Sequence, residues 1–595
     1  MSIAALLLTL ASTAAVGPPA EGADAPAVVT DDPVLAEVRI LARAGAQDLA
    51  LAVLERNTPS FAIDPVRWRR WDAERLYLLR SRERWDAILE VTAISPDGLD
   101  ANTRAARQVQ RSAAAIALGM SQQAIAEIRH ALWTDPELDP AARRALRRAL
   151  IDAYRAAGDL DAARTAMQRH RQDYRDGAEE LRIPQARVYL LGGEPAAAIG
   201  LLASGDDDET VALRTLAQLR TGTAAPATLL PTLVARASRQ DRAADARRRD
   251  WLLAATAAAS LGNGSAEVSA EERALALLRS GALPDAVFEQ DGDDLWDTYL
   301  RVGLALGNRA NLIQGDDLAW MEAAQGSLAS DPIGARSLLA FLALRGYDPA
   351  MRAEAAAALG EQLWAEAWGP DTAFQLFLRS AAWPDPSALP GALRYRLVDL
   401  VLARGDVDLA SQLMRDLTAP PTDADPVEWI LRRSRIMILG GRPQLALDGL
   451  GLLVSHPDSV DISRLLQPLF DLQAAELHRE ALPLLGGLLS WQMEPQQRRE
   501  LLYWIADSEI ALGEAEEAAR LYLASATLLD PFAMDPWAQT ARFQAADALA
   551  DAGRVADARA LYLGLLSATQ DPGRQALLRQ KLQSLLLRDD GTVEP

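Results

Sequence analysis

Residues 150–163 read LIDAYRAAGDLDAA, and this stretch decides the fold of the chain. Apolar residues recur at helical spacing up to Gly158, and Ala163 follows that Gly by five residues. Gly ends a helix at low steric cost in a left-handed conformation, and a small Ala on the next helix lets two antiparallel helices approach closely. The stretch therefore predicts a helix hairpin in which Asp159 caps the second helix.

The same Gly and Ala, five residues apart, recur along much of the chain. Successive Ala residues of this kind lie 35 to 40 residues apart, which predicts one hairpin per interval. The long gap between Ala198 and Ala410 corresponds to six further intervals of about 35 residues, so about fifteen hairpins are expected. The pairs are Gly45 with Ala50, Gly119 with Ala124, Gly158 with Ala163, Gly193 with Ala198, Gly405 with Ala410, Gly441 with Ala446, Gly513 with Ala518 and Gly553 with Ala558, and two more lack the Gly, namely Arg82 with Ala87 and Glu476 with Ala481.

Two consecutive units carry further small and aromatic residues at regular places. They are Ser112, Gly119, Ala124, Ala131 and Pro136 in one unit and Leu150, Tyr154, Gly158 and Ala163 in the next. This pattern resembles the tetratricopeptide repeat (TPR) proteins, whose unit is about 34 residues long. The resemblance implies an all-α fold, an α-α superhelix (solenoid) of about fifteen TPR-like helix hairpins whose first helices line a concave groove. It covers about two thirds of the chain, because residues 209–390 show helical periodicity alone.

The composition of the N-terminus predicts a targeting signal. Residues 3–16 are apolar or small, and Ala, Gly and Pro then crowd the chain up to Pro33, as in a signal peptide followed by a linker. The alternative is an apolar N-terminus that remains in the cytoplasm. The predicted regions are a signal peptide and Pro/Ala-rich linker (1–32), N-terminal TPR-like repeats (33–208), a degenerate helical middle (209–390), C-terminal TPR-like repeats (391–572), a capping helix (573–588) and a tail (589–595).

Composition and charge exclude several classes of function. Ala and Leu dominate the hydrophobic half of the chain and aromatic residues make up 5%, which is typical of packed helices. The formal net charge of -21 argues against a nucleic-acid partner, because phosphate contacts need a basic face. The absence of Cys removes thiolate metal sites, disulfides and cysteine nucleophiles together.

Motifs that would carry chemistry are missing. The four His residues stand far apart in the sequence, and neither a phosphate-binding loop nor a serine nucleophile motif occurs. Short acidic runs at 206–209, at 291–294 and at 316–317 precede helical stretches, where carboxylates usually cap a helix. We therefore expect no metal, no cofactor and no catalytic residue.

One region of the acidic chain is locally basic. Between Ala101 and Asp250 there are 23 Arg against 19 acidic residues. In the register of the resemblance, Arg148, Arg155 and Arg187 would face the concave groove, where guanidinium groups could bind carboxylates of a partner. The alternative is a solvated helix face on which these residues pair with neighbours such as Asp152.

The sequence thus favours a non-enzymatic protein-interaction scaffold of the bacterial cell envelope, located in the periplasm. It would hold partner proteins, through acidic segments, or an anionic envelope polysaccharide or peptidoglycan. One alternative is a polysaccharide- or peptidoglycan-active helical enzyme, for which fourteen Trp would supply sugar-stacking rings. Another is a cytoplasmic TPR adaptor. No segment of the mature chain is apolar enough for a transmembrane helix.

Overall fold

A computed structural model describes residues 32–174, 179–278, 285–421, 424–532 and 534–589. Within these ranges the chain forms 31 α-helices, one 3₁₀-helix (Pro386–Ala388) and no β-strand, which confirms the predicted all-α fold of TPR-like hairpins. The predicted signal peptide and linker lie outside the described residues except for Asp32, and so does the tail after Asp589. The chain divides into two compact units, unit 1 (1–217 with 279–287) and unit 2 (218–278 with 288–595).

Unit 1 is a row of helix hairpins. The boundary between the units, after residue 217, falls within the helix Asp208–Thr221, which is the last helix given for unit 1. The helices are α1 (Pro33–Arg43), α2 (Gln47–Arg56), α3 (Pro65–Ser81), α4 (Trp85–Ala93), α5 (Ala101–Ala117), α6 (Ser121–Thr134), α7 (Pro140–Ala156), α8 (Leu160–Asp173), α9 (Arg182–Leu191), α10 (Pro195–Leu201) and α11 (Asp208–Thr221).

Unit 2 contains the remaining helices. They are α12 (Pro226–Ala237), α13 (Ala244–Ser260), α14 (Gly264–Ala276), α15 (Gly292–Leu306), α16 (Arg309–Gln314), α17 (Asp317–Ser327), α18 (Pro332–Arg345), α19 (Pro349–Trp364), α20 (Gly369–Leu378), α21 (Gly391–Ala403), α22 (Val407–Met414), α23 (Pro426–Leu439), α24 (Gln444–Val454), α25 (Ile462–Ala474), α26 (His478–Leu488), α27 (Pro495–Ala511), α28 (Ala515–Thr527), α29 (Pro536–Asp551), α30 (Val555–Ala568) and α31 (Pro572–Asp589).

The Gly and Ala of the recurring pattern act as the sequence predicts. All eight of its Gly residues have positive φ, between +72° and +88°, and each ends the turn between the two helices of a hairpin. In each of these hairpins the Ala five residues later has no exposed surface. A larger side chain there would separate the helices, so the Ala positions set the distance between them.

One register of the pattern was wrong by one residue. The residue with positive φ between α3 and α4 is Glu83, not Arg82, and the fully buried residue five positions later is Ile88, whereas Ala87 is partly exposed. The pairing of Glu476 with Ala481 is confirmed, because Glu476 has φ +60° and Ala481 is fully buried. The turn geometry, and not the small side chain, is therefore the feature that the α3–α4 hairpin shares with the others.

Asp-Pro pairs mark many helix starts, a signal that the sequence analysis did not use. In each case the Asp side chain accepts a backbone N–H of the first turn and Pro occupies the first helical position, where its missing N–H has no cost. The Asp caps of this kind on α-helices are Asp32, Asp64, Asp139, Asp331, Asp348, Asp425, Asp535 and Asp571.

Helices pack in chain order from α1 to α10 in unit 1 and over most of the second half of unit 2. In unit 1, α5 packs against α4, α6 and α7, as expected for stacked hairpins. In unit 2, each helix from α21 to α30 packs against the next, except that α24 packs against α26 and not against α25, which packs against α23. The last helix, α31, packs against α30 over the range predicted for a capping helix.

The first part of unit 2 departs from this order. There α15 packs against α18, and α14 packs against α20, so helices far apart in sequence share a core. A buried bidentate ion pair lies in that core, with Arg336 Nε and Nη2 at 2.7 and 2.6 Å from the Glu272 carboxylate oxygens, and the Tyr299 hydroxyl donates to the same carboxylate. Burial, and then the charge of Glu272, raise the pKa of Tyr299. Residues 264–378 thus form a packed bundle, which explains the weak repeat pattern there.

Across the described residues, none of the helices combines the length and the apolar character that crossing a bilayer requires.

We expect Glu476→Gly to stabilise the protein. A non-Gly residue in the left-handed region carries roughly 1 kcal/mol of strain that Gly relieves, and the larger entropy of the unfolded Gly chain offsets only part of it. The midpoint of urea unfolding, followed by circular dichroism, should rise. The matched control Gly513→Ala, at φ +88°, should lower it. A fall in the midpoint for Glu476→Gly would contradict this account of the turn.

Candidate binding surface

Helix α7 in unit 1 carries an unusual concentration of positive charge. It begins after Asp139, whose carboxylate accepts the Ala142 N–H at 2.6 Å, with Pro140 in the first position. Along its length the only acidic residue is Asp152. Its five Arg residues are Arg143, Arg144, Arg147, Arg148 and Arg155. We call the side chains of Arg144, Arg147, Arg148, Asp152 and Arg155 the α7 surface.

Two of the three predicted binding residues meet on this surface. Arg148 Nε lies 3.4 Å from Asp152 Oδ2, and Arg155 Nη2 lies 3.5 Å from Asp152 Oδ1. Arg148 Nη1 also donates to the Glu180 carbonyl oxygen at 2.7 Å. The pairing with Asp152 that the alternative interpretation predicts is therefore present. Two partly exposed guanidinium groups share one carboxylate, which leaves an excess positive charge.

The other arginines of the α7 surface contact an aromatic ring and two carboxylates. Arg144 and Arg147 lie 5.3 and 5.9 Å from the centre of the Tyr174 ring, within cation–π range. Arg144 Nη2 donates to Glu180 at 2.6 Å, and Arg147 pairs with Asp173. Even with these two acids included, the positive charges outnumber the negative ones, in a chain of net charge -21.

The third predicted residue, Arg187, has a different environment. It lies on α9 and is 8% exposed. Its Nε donates to Glu209 Oε1 at 2.9 Å, and its Nη2 donates to Asp285 Oδ2 at 3.1 Å. Burial by itself lowers the pKa of Arg187, but the hydrogen bond and attraction of Asp285, together with Glu209, outweigh it and raise that pKa. No contact among the described residues joins Arg187 to Arg148 or Arg155, and its ion pairs anchor α9 within unit 1.

A cavity of about 550 Å³ lies among α4, α5 and α6 of unit 1. Arg107 Nη2 on α5 donates to the Val91 carbonyl oxygen at 2.6 Å, and Arg111 Nη1 donates to that of Leu89 at 2.8 Å. On α6, Glu127 accepts from Arg111 and Gln108. Burial would raise the pKa of Glu127, but these hydrogen bonds lower it. Hydrogen bonds thus hold most of the polar side chains of the α4–α6 cavity, although the buried Arg107 Nε has no hydrogen-bond partner.

Two large apolar side chains near this cavity face solvent. Trp133 on α6 is 86% exposed and directly precedes Thr134, which lines the cavity. Ile94 after α4 is 80% exposed and lies between Ser95, also a lining residue, and the end of the helix. Exposed Trp is enriched at the energetic centres of protein interfaces. A polypeptide segment could place polar groups in the cavity and apolar side chains against Trp133 and Ile94.

A recurring arginine joins successive hairpins, and the sequence analysis did not single it out. In each case an Arg on one helix donates to a carbonyl in the last turn of the preceding helix or in the loop that follows it. Carbonyls at a helix end have no partner within their own helix. The sequence signal of this contact is an Arg four to eight residues into the later helix. The residues are Arg107, Arg214, Arg247, Arg433, Arg498 and Arg542.

The acidic runs cap helices. Asp207 accepts the Thr210 N–H at 2.8 Å, and Asp316 accepts that of Ala319 at 3.1 Å. In the run at 291–294, Asp291 caps α15, whereas the Asp293 side chain accepts the Ala381 N–H. Among the residues that the structure describes, no three His, Asp or Glu side chains come together as metal ligands do.

Most tryptophans fill the core. Eight of the fourteen are buried among the described residues, where their rings pack against other side chains and are not accessible for stacking on sugars. They are Trp68, Trp71, Trp85, Trp251, Trp296, Trp320, Trp429 and Trp491.

Neither a known protein family nor a curated protein matches the sequence. Among solved structures, the crystal structure of the APC/C hetero-tetramer Cut9–Hcn1 is 13% identical, with 76% of this chain and 91% of that chain covered and a TM-score of 0.19. The structure of Naa15/Naa10 bound to HypK-THB is 12% identical, with 95% and 98% covered and a TM-score of 0.20. At these TM-scores neither structure bears on what this chain binds.

The buried and the partly exposed arginines should differ in their effect on stability. Arg187→Ala leaves Asp285 and Glu209 without their guanidinium partner, so we expect the free energy of unfolding to fall by roughly 2–3 kcal/mol. Arg148→Ala should cost under about 1 kcal/mol, because its ion pair is solvated. Thermal and urea unfolding of the two variants would measure the difference. A loss for Arg187→Ala as small as that expected for Arg148→Ala would mean that Arg187 is not a structural residue.

Proposed function

We propose that this chain is a non-enzymatic scaffold that holds partner proteins on its stacked helix hairpins. The α7 surface is the observation that carries the proposal. Its guanidinium groups outnumber its carboxylates and are partly exposed, and they lie on the first helix of a hairpin in a chain of net negative charge. Guanidinium groups bind carboxylates through charge-assisted hydrogen bonds, so the partner offers an acidic segment.

The α4–α6 cavity supports the same proposal from a neighbouring part of unit 1. Arg107, Arg111 and Glu127 of its lining are held by hydrogen bonds within unit 1, so the cavity contributes mainly shape and an apolar margin. Trp133 and Ile94 supply that margin. An acidic segment with an apolar residue beside it would use both surfaces.

The proposed location is the periplasm of a bacterium, as part of an assembly of the cell envelope. The apolar stretch at residues 3–16, followed by small residues and Pro, supports export. An anionic envelope polymer is the other ligand that the α7 surface would suit, because its carboxylates present the same chemistry.

The acidic partner can be tested with a defined probe. We expect fluorescein-labelled octaglutamate to bind the full-length protein, and Arg148→Gln/Arg155→Gln to weaken binding at least tenfold, because charge-assisted hydrogen bonds are lost. The measurement is fluorescence anisotropy at fixed salt. The matched control is Arg169→Gln/Arg171→Gln, which removes two exposed charges from α8. Equal weakening by both variants would contradict a role for the α7 surface, and preferential binding of polygalacturonate would favour the polymer.

Export can be tested on protein from its native cells. Mass spectrometry of the N-terminus should show that roughly the first 15 to 25 residues have been removed, as signal peptidase processing requires. An intact Met1 on the mature protein would contradict a periplasmic location and favour the cytoplasmic adaptor.

A further inference from the structure

Two consecutive hairpins near the end of unit 2 carry an aromatic residue, an Asp and a Tyr at matching positions, forty residues apart in the sequence. Helices α27 and α28 carry Tyr503, Asp507 and Tyr522. Helices α29 and α30 carry Phe543, Asp547 and Tyr562 at the corresponding positions. In both hairpins the Tyr of the second helix donates its hydroxyl to the Asp of the first. The two sets can therefore be compared directly within one chain.

The later set binds an ammonium group. Lys581 on α31 places its Nζ 2.6 Å from Asp547 Oδ1 and 5.6 Å from the centre of the Phe543 ring. The Phe543 and Tyr562 rings meet edge to face, with centroids 6.0 Å apart. A carboxylate and an aromatic face together form a favourable site for a cation. This chain thus shows which ligand the arrangement accepts.

The earlier set has the same geometry. The rings of Tyr503 and Tyr522 meet edge to face with centroids 5.1 Å apart, and Trp537 adds a third ring at 5.1 Å from Tyr503. Asp507 and Tyr503 are partly exposed, while Tyr522 is buried. An incoming side chain can therefore reach the carboxylate beside the Tyr503 ring.

The two sets differ in what the following helix supplies. Lys581 lies 34 residues after Asp547, and the residue 34 after Asp507 is Ala541. Among the described residues, no Arg or Lys forms an ion pair with Asp507. Burial raises the pKa of Asp507, against the smaller opposing effects of the Tyr522 hydrogen bond and of His478. Asp507 is a half-buried carboxyl group that a cation would stabilise in its charged form.

We propose that Tyr503, Asp507 and Tyr522 form a site for a lysine side chain of a partner polypeptide. In this site the ammonium group lies against the Asp507 carboxylate and the Tyr503 ring, as Lys581 lies against Asp547 and Phe543. This proposal extends the proposed scaffold function to a second, basic partner, and it does not depend on the α7 surface.

The surrounding charge favours a basic segment over a single free amine. Residues 494–551 contain eleven acidic and four basic residues. Glu509 illustrates the crowding, because burial first, and then the charges of Glu517 and Glu514, raise its pKa. A segment with several lysines gains from this field as well as from the site itself.

The test uses the full-length protein and fluorescein-labelled octalysine as the probe. At 150 mM salt we expect wild type to bind octalysine and not its fully acetylated form, and Asp507→Asn to weaken binding at least tenfold. The matched control Glu514→Gln removes one negative charge from the same hairpin and should weaken binding less than twofold. Tyr503→Leu, which changes no charge, should weaken it severalfold.

Two outcomes would overturn the proposal. One is equal weakening by Asp507→Asn and Glu514→Gln, which would mean diffuse attraction to an acidic surface. The other is octalysine binding by Tyr503→Leu that equals wild-type binding, when the circular dichroism and melting temperature of this variant also match wild type. The octaglutamate test uses variants of Arg148 and Arg155, and the octalysine test uses variants of Asp507 and Tyr503. Failure of the lysine site can therefore be told apart from failure of the proposed acidic partner.

Discussion

In each regular hairpin, a fully buried alanine on the second helix lies against the first helix, just after a glycine whose left-handed backbone reverses the chain. The distance between the two helices depends on that contact, because the alanine methyl is too small to keep them apart. A single hairpin cannot bury its apolar face alone, and stacking on the next hairpin buries it. The arginines of the α7 surface and Asp507 each lie on the first helix of a hairpin.

Larger residues replace the alanine in some hairpins, and one of them shows what compensates. Ile88 takes the position between α3 and α4. After Gly315 the position is occupied by Trp320, whose ring stacks on Phe341 at 4.8 Å between centroids. Gly307 makes room for that ring, since a side-chain carbon there would lie 2.1 Å from it. A bulky residue is thus tolerated where a neighbouring residue is small.

Arginine has three separable roles in this protein. Some arginines neutralise the carbonyl ends of preceding helices and so join one hairpin to the next, as Arg498 does. Others form buried ion pairs, such as Arg187 with Asp285 and Arg336 with Glu272. A third group, on the α7 surface, stays partly exposed with charge in excess. Sequence composition alone does not separate this group from the other two.

The sequence by itself determined the hairpins, because the glycine turn, the small residue five positions later and the Asp-Pro helix starts are local features whose chemistry acts over a few residues. It also identified Arg148 and Arg155 with their neighbour Asp152, since they share one helix face. Tertiary structure decided the rest. The ion pairing of Arg187 depends on Asp285, nearly a hundred residues away, and the core of residues 264–378 joins helices that are not neighbours in sequence. The difference between the Asp507 and Asp547 sites depends on what the following helix places beside each carboxylate. Local patterns carry no information about such distant contacts.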